Sequence, residues 1–439
     1  MMNAHMLPPR MRALSARKTV LLSALDIGTS KVVCLIARLE PMESSDSLRG
    51  RTHRCRILGI GHQRSAGIKN GVIADLDQAE GAIRRAVDAA ERMAGVEVEG
   101  IIVNVSGGRI GSQSFNATVS VANRAVSESD IHRVLEACAA RIQQQGRAVL
   151  HSLPTGFSLG DMRNIRDPKG MVGEALGVDM HVVGSDVTAA RNLMLAVERC
   201  HLSVEAMAAT PYVSGLAALV DDEAELGTAV IDMGGGTTSV GVFFGGNLVH
   251  VDGLALGGNH ITMDIARGLT TRLSDAERLK TLYGACIASP SDERESIAVA
   301  LTGEDGEQPV HMPKSQLVRI IGPRVEEILE LVRDRLKAAG FAPNAVSRIV
   351  LTGGASQLTG MPEAAKRILA GQIRIGRPLG IQGLPESAKN PSFSAAVGLL
   401  VYPQVAGIEH FRPGRRESVA ATGSNRYIAR VGQWLRESF

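Results

Sequence analysis

Two short stretches place a carboxylate, an apolar residue and then glycine at the end of an apolar run. They are Asp26-Ile27-Gly28-Thr29-Ser30-Lys31 and Asp232-Met233-Gly234-Gly235-Gly236-Thr237-Thr238. Glycine has no Cβ and tolerates φ > 0, so runs of it let backbone N–H groups approach an anion and point at it. The Thr29, Ser30, Thr237 and Thr238 hydroxyls add donors. A carboxylate beside such a phosphate cradle is repelled by its guest unless a divalent cation lies between them. Asp26 and Asp232 are therefore read as holding Mg2+ through its water shell, since Mg2+ keeps several waters and takes few direct carboxylates. Lys31 either contacts phosphate or stands in solvent on its hairpin.

Each stretch joins two β-rich runs, residues 20–25 to 32–37 and 228–231 to 240–244, and so reads as a tight hairpin turn. One alone would pass for an ordinary glycine-rich hairpin. Two in the same strand–turn–strand setting point to a duplicated fold gripping one polyphosphate between its halves. A third glycine turn, Gly353-Gly354-Ala355-Ser356, ends the apolar strand 349–352 ahead of a helical pattern over 361–369. Its bare backbone suits close approach to a purine face.

A chain of 439 residues is long enough for two to four subdomains with substantial cores. With 44% hydrophobic residues it is an ordinary α/β composition, and a net charge of +3 is too small to argue for nucleic acid. Cys34, Cys55, Cys138, Cys200 and Cys286 are scattered without a CxxC pair, which suits reduced, buried thiols. No uncharged apolar run reaches the length of a bilayer span. Residues 1–19 are basic and rich in Met but lack an apolar core, and read as a disordered arm rather than a signal peptide.

The elements that must position the glycine turns follow in order. After a third strand around 55–62 comes an amphipathic helix with Leu76, Ala79, Ile83, Val87 and Ala90 on one face, and with Asp75 and Gln78 at capping-box spacing. Residues 101–105 form a short apolar strand, and Ser106-Gly107-Gly108 marks a boundary. The spacing divides the chain into a first lobe (20–106 and 178–210), an insertion (107–177), a second lobe (211–252 and 345–403), a subdomain within it (253–344), a linker (404–423) and a final helix (424–439). The strand at 179–183 is assigned to the first lobe, and Pro323 predicts a break or kink in the helical run 315–339.

The three glycine motifs, in this order, resemble the two phosphate loops and the adenosine loop of the actin/heat-shock-chaperone/sugar-kinase superfamily. The insertion after 101–105 is similar to subdomain 1C of the FtsA family of bacterial cell-division proteins, which stands where actin and MreB carry subdomain 1B. Ala196-Val197-Glu198-Arg199-Cys200, Ser274-Asp275-Ala276-Glu277, residues 349–356 and 391–400, and the Trp434-Leu435-Arg436-Glu437-Ser438-Phe439 ending are similar to that family too. The likeness runs over 20–439.

That resemblance implies an α/β, actin-like two-lobed ATPase fold with an inserted small α+β subdomain of the SHS2-like 1C kind and a C-terminal amphipathic helix. ATP and Mg2+ are the implied ligands. Asp26, Gly28, Thr29, Ser30 and Lys31 would form the first phosphate loop. Asp232, Gly234, Gly235, Gly236, Thr237 and Thr238 would form the second, and Gly353, Gly354, Ala355 and Ser356 would hold the adenosine side. Glu277 and Lys280 match the positions that reach the ribose; a solvated i,i+3 ion pair is the equal alternative. Where chaperone relatives carry a catalytic Glu before Pro, this chain has Thr210 before Pro211. Thr is no general base at neutral pH, so ATP binding with slow or absent hydrolysis is expected.

The implied role is an adaptor that polymerises and tethers the FtsZ ring to the cytoplasmic face of the inner membrane at the division site. Its implied partners are the FtsZ C-terminal peptide, copies of itself, and other division proteins through subdomain 1C. Lys314, Arg319 and Arg324 are the expected basic contacts for that peptide, against an ordinary solvated helix face. A pilus-assembly actin homologue and an ATP-dependent sugar or acid kinase of the same fold are the alternatives.

The last segment has its own logic. At 100° per residue Tyr427, Ile428, Val431, Trp434, Leu435 and Phe439 share one arc, opposite Arg426, Arg430, Gln433, Arg436 and Glu437. So short a helix is marginal in water and needs an apolar surface, either an anionic membrane or the protein's own body. A preceding linker, the sole Trp and the excess of Arg favour the membrane.

Overall fold

The computed structural model describes residues 8–11, 14–42, 48, 50–142, 146–302, 309–341 and 346–410. Strand β1 (Val20–Ile27) is buried on six consecutive residues, so both of its faces are covered. It turns at Gly28 into β2 (Lys31–Pro41) and β3 (His53–Arg64), a three-strand antiparallel meander. A two-residue ladder, β4 (Ile68–Lys69) with β5 (Val72–Ile73), leads to α1 (Leu76–Ala94) and β6 (Gly100–Val105), which lies parallel to β1. Asp75 caps α1 by accepting from the Gln78 N–H at 3.0 Å, but the Gln78 side chain donates to the Asp75 carboxylate instead of closing a reciprocal box.

The chain then leaves this sheet. Strands β7 (Gly111–Ala125), β8 (Arg147–Leu159), β9 (Met162–Ile165) and β10 (Val172–Asp186) make a separate sheet in the order β7-β10-β8-β9, with α2 (Glu128–Arg141) packed on it. This corrects the expected limit of the insertion at 177. Strand β10 runs unbroken through Gly177 and pairs with β7 as far as Gly184 opposite Gly111, so the strand at 179–183 belongs to the inserted sheet. Gly177 reads as a breaker in sequence. In the sheet its missing Cβ makes room for the Ser158 hydroxyl, which such an atom would meet at 2.3 Å.

Helix α3 (Val187–Glu198) and β11 (Ser203–Ala209) return the chain to the first lobe, where β11 pairs parallel with β6. Helix α4 (Thr210–Ala218) and α5 (Asp221–Leu226) lead into the second lobe. It repeats the first: a meander of β12 (Thr228–Met233), β13 (Thr238–Phe244) and β14 (Asn247–Leu254), with parallel strands added beyond β12.

Between them come α6 (Gly258–Gly268), α7 (Leu273–Tyr283), the hairpin β15 (Ser296–Val299) with β16 (Val310–Pro313), and α8 (Lys314–Ala338). Of the expected break or kink, the break does not occur: α8 is a single 25-residue helix with Pro323 inside it. Proline removes one backbone donor there, but Ile321, Gly322 and Val325 around it are buried, and tertiary packing outweighs the local penalty.

Strand β17 (Arg348–Thr352), α9 (Met361–Leu369) and β18 (Gln372–Ile375) complete the second sheet, whereas β19 (Ile381–Gln382) adds to the edge of the first beside β3. Helix α10 (Ser394–Val405) then packs against α4 in the centre of the molecule. A Cβ on Gly398 would meet the Val213 carbonyl at 1.9 Å, which fixes glycine at the helix crossing. Against the expectation that no uncharged apolar run is so long, residues 391–408 are apolar and long enough to cross a membrane by length and composition, yet 72% of that stretch is buried inside the molecule, as for a core helix.

Two terminal expectations need correction. Residues 8–11 and 14–19 are not free of the body: Pro8 is buried, and Met11 and Leu14 pack on the first lobe's core. At the other end, 404–410 is anchored rather than a linker. The Gln404 side chain accepts from the backbone N–H groups of Thr52 and His53, each at 3.0 Å, and the His410 N–H donates to the Ser152 carbonyl at 2.9 Å. Tyr427, Ile428, Val431, Trp434, Leu435 and Phe439 lie outside the described residues.

Candidate nucleotide site

Both acidic hairpins close in the same way. The Gly28 N–H donates to the Lys31 carbonyl at 2.9 Å, and the Gly234 N–H donates to the Thr237 carbonyl at 2.8 Å. Because each sits at the same end of its lobe's meander, the duplication turns the two loops towards one another. They meet closely. A Cβ on Gly235 would lie 1.9 Å from the Ser30 hydroxyl, and one on Gly236 would lie 2.4 Å from that of Thr29. The Ser30 hydroxyl also donates across the gap to Asn259 Oδ1 at 3.1 Å.

The loops wall a cleft of about 560 Å3. Among the residues lining it are Asp26, Gly28, Thr29, Ser30 and Lys31 from one side and Asp232, Gly234, Gly235, Gly236 and Thr237 from the other. Gly353, Gly354 and Ala355 close one end with Glu277 and Lys280. Gly353 has φ +82°, and a Cβ there would meet Asp232 Oδ1 at 2.5 Å, so only glycine brings this third loop against the carboxylate.

Two expected residues turn away. Thr238 is fully buried and donates to the Leu256 carbonyl at 2.9 Å; Ser356 is 1% exposed and donates to the Gly353 carbonyl at 2.7 Å. Their hydroxyls hold the loops and face no guest. Glu277 and Lys280 do form the i,i+3 ion pair, at 2.6 Å, and the ammonium also donates to Thr262 at 2.8 Å and to the Gly258 carbonyl at 3.1 Å.

Burial sets the electrostatics. It pushes Asp26 up to about 6, with Lys31 opposing and the nearby Asp232 adding to the rise. It pushes Asp232 up to about 6 as well, against the hydrogen bond from Ser214 and the charge of Lys31. Lys31 is brought down to about 8 by burial despite both carboxylates, and its ammonium bonds Ser392 at 2.9 Å and lies 3.8 Å from the centre of the Phe393 ring. Two carboxylates and one ammonium thus share the cleft, each side chain largely buried. A hydrated cation brought in with an anionic guest would offset the cost of charging both acids.

Sequence reasoning passed over the groups that aim these side chains. Asn104 donates to Asp26 Oδ1 at 2.7 Å and to Thr210 at 3.2 Å, while its own oxygen accepts from the Ile27 N–H at 2.7 Å. A lone amide in the apolar run of β6 was the available signal. Ser214 bonds Asp232 Oδ2 at 2.5 Å from inside α4, and nothing local marks it. The Gly258 and Asn259 N–H groups at the start of α6 donate to the Gly234 and Gly235 carbonyls at 2.9 and 2.7 Å, which seats the second loop.

The expected basic contacts on α8 each already have an acidic partner. Lys314, Arg319 and Arg324 are spaced by fives, so at 100° per residue Arg319 points about 140° away from each of the others, while Lys314 and Arg324 lie about 80° apart. Lys314 lines the nucleotide cleft and pairs with Glu295 at 2.8 Å; Arg319 pairs with Glu293 at 2.8 Å and Arg324 with Asp264 at 2.6 Å.

Comparison with known proteins adds to this geometry. A family model for "Cell division protein FtsA" matches residues 229–398, and one for the "SHS2 domain inserted in FTSA" matches 107–184. The chain is 56% identical to the cell division protein FtsA of Agrobacterium fabrum, over 100% of this chain and 99% of that protein. It is 33% identical to the FtsA of Escherichia coli K12, over 95% of this chain and 98% of that one. Among solved structures it is similar to the PilM-PilN type IV pilus biogenesis complex, with a TM-score of 0.60 at 17% identity over 88% of this chain and 99% of that one. It is also similar to MreB5 of Spiroplasma citri bound to ADP, with a TM-score of 0.50 at 14% identity over 87% and 95% of the two chains. At these identities the structural likeness shows the actin-like fold alone.

Proposed function

The chain belongs to the FtsA family of cell-division proteins, and from that premise we propose that it is a Mg·ATP-dependent adaptor joining the FtsZ ring to the inner membrane. The single observation that carries the nucleotide reading is the facing pair of hairpins, each with a buried carboxylate and a glycine turn bare enough for backbone donors to reach phosphate. The residues fit Mg·ATP. The cradle is one that a single added Cβ at Gly235 or Gly236 would fill, and burial raises both acids to about 6, which makes their charge costly until a cation offsets it.

In this reading Asp26 and Asp232 would hold hydrated Mg2+, which supplies charge neutralisation at the phosphates. Lys31 and the backbone of Gly28, Thr29, Ser30, Gly234, Gly235, Gly236 and Thr237 take the phosphates. Thr238 and Ser356 seat the loops, Glu277 and Lys280 take the ribose, and Gly353, Gly354 and Ala355 flank the base. Thr210 stands by Asn104 and Asp26 where a general base would be needed, so turnover stays below about 1 s⁻¹, at the low end of ordinary enzymes.

The partners follow from the family reading: the FtsZ C-terminal peptide on the subdomain 253–344, copies of the chain in actin-like filaments, and later division proteins through the inserted sheet. The amphipathic segment 424–439 attaches the protein peripherally to anionic lipid at the division site, weakly per molecule and stably in a polymer. Co-sedimentation with FtsZ and anionic vesicles in Mg·ATP tests this. The full chain should carry FtsZ into the vesicle pellet, and deletion of everything after Gly423 should leave FtsZ binding intact while abolishing pelleting. Pelleting that survives the deletion overturns the membrane assignment, and absence of FtsZ from the pellet of the full chain overturns the adaptor role. The pilus and kinase alternatives give way to the family membership.

A further inference from the structure

We propose that, away from a membrane, segment 424–439 docks on its own body in a second groove, walled by α4, α5 and α10. The groove holds about 150 Å3 and is lined by apolar side chains that include Leu216, Phe243, Leu248, Val405 and Ile408, with Asp221 at its rim. Ile408 is 55% exposed there, and α5 and β13 leave Leu226 64% and Phe244 58% exposed nearby. A patch of this kind at the surface calls for an occupant.

Three observations name it. First, the chain is pinned beside the groove just where segment 411–439 begins. The Glu409 side chain is 3% exposed and bonds His151 Nδ1 at 2.8 Å, and the His410 N–H is fastened to Ser152. Second, the reach suffices: residues 411–423 span at most roughly 45 Å, so the following segment meets the groove at an effective concentration of about 1 mM. Even weak docking is then well populated. Third, the chemistry matches. The arc of Tyr427, Ile428, Val431, Trp434, Leu435 and Phe439 is apolar and its back carries Arg426, Arg430 and Arg436. Helix α5 puts Asp221 in the groove wall and carries Asp222, Glu223 and Glu225 in the same short helix, with Glu223 bonded by Arg374 and Glu225 by Arg166. The groove and the lipid therefore compete for one apolar face, and lipid binding must first displace the docked tail. The inference rests on the amphipathic reading of 424–439 that also underlies the membrane proposal.

Trp434 is the only tryptophan, so its emission reports the tail alone. In the lipid-free full chain it should be blue-shifted and protected from acrylamide, independently of protein concentration. Ile408→Glu, and separately Asp221→Lys with Asp222→Lys, should shift it to the red and make it as quenchable as in the free 424–439 peptide. The same variants, with thermal unfolding unchanged, should bind anionic vesicles up to about tenfold more tightly. Wild-type Trp434 as quenchable as the peptide, shielding untouched by both groove variants, or shielding lost on dilution (docking onto a second copy) would each overturn the proposal. A wild type that ignores vesicles while Trp434 stays shielded would sink the membrane reading and leave this one standing.

Discussion

The two acidic hairpins are copies in fold and opposites in content. Both close by the same glycine-to-carbonyl bond, and both place a carboxylate two residues before the glycine. The first carries side chains and a charge: Thr29, whose hydroxyl accepts from the Gly71 N–H at 3.0 Å, then Ser30 and the largely buried Lys31. The second carries empty space at Gly235 and Gly236, into which Ser30 and Thr29 fit. Duplication has thus supplied one loop that donates groups and one that makes room for them. Their carboxylates differ in support too, Asp26 steadied by an amide from β6 and Asp232 by a hydroxyl from α4.

The largest effect should come from filling the room. Gly235→Ala puts a Cβ 1.9 Å from the Ser30 hydroxyl, whereas Gly28→Ala meets only the Lys31 carbonyl at 3.0 Å. Fluorescent-ATP titration should show a loss of about a hundredfold or more for Gly235→Ala and less than about tenfold for Gly28→Ala. Adding Ser30→Gly to Gly235→Ala should restore much of the binding. Equal losses at the two glycines would end the distinction between a donating and a receiving loop.

Charge comes next, because only the first hairpin holds a cation. Lys31→Met should weaken ATP by about tenfold. Burial has brought the Lys31 ammonium down to about 8, so wild-type affinity should fall as pH rises above that value while Lys31→Met stays flat. A variant that keeps the same pH dependence would move the charge elsewhere in the cleft.

The smallest effect is on stability and sharpens the likeness of the pair. Each carboxylate is raised by burial from 3.8 to about 6, so the nucleotide-free folded state holds protons that the unfolded chain releases between those values. Stability should therefore fall as pH climbs from about 4 to about 6, by about 3 kcal/mol per group at most. Asp26→Asn or Asp232→Asn should raise the melting temperature of the nucleotide-free protein at neutral pH by about 2–4 °C. A lower melting temperature in both variants would show that charged carboxylates stabilise the empty cleft.

How much of this could be read beforehand divides by range. Hairpins, the α9 span and the buried strands were legible because their signals are local: apolar runs ending in glycine, or a helical period behind a turn. Asn104 and Ser214 were not, since each matters only through a partner 78 or 18 residues away in sequence. The limit at 177 and a break at Pro323 did not hold because sheet pairing carries β10 past the one and core burial carries α8 through the other. Lys314, Arg319 and Arg324 read only as basic contacts, and the acid each one pairs with lies on another segment and was not legible. Gln404 and Glu409 sat in a stretch that reads as linker, and only the folded first lobe and insertion show what holds them.

The most direct test of the account is the Mg2+ dependence of ATP affinity, measured by calorimetric titration of the full chain with Mg2+ and with chelator. The facing carboxylates predict that chelation weakens ATP by at least about tenfold in the wild type, worth about 1.4 kcal/mol. They also predict that this gain from Mg2+ disappears when Asp26→Asn and Asp232→Asn are combined. Equal ATP affinity with and without Mg2+ in the wild type, or a Mg2+ gain that persists in the double variant, would contradict it.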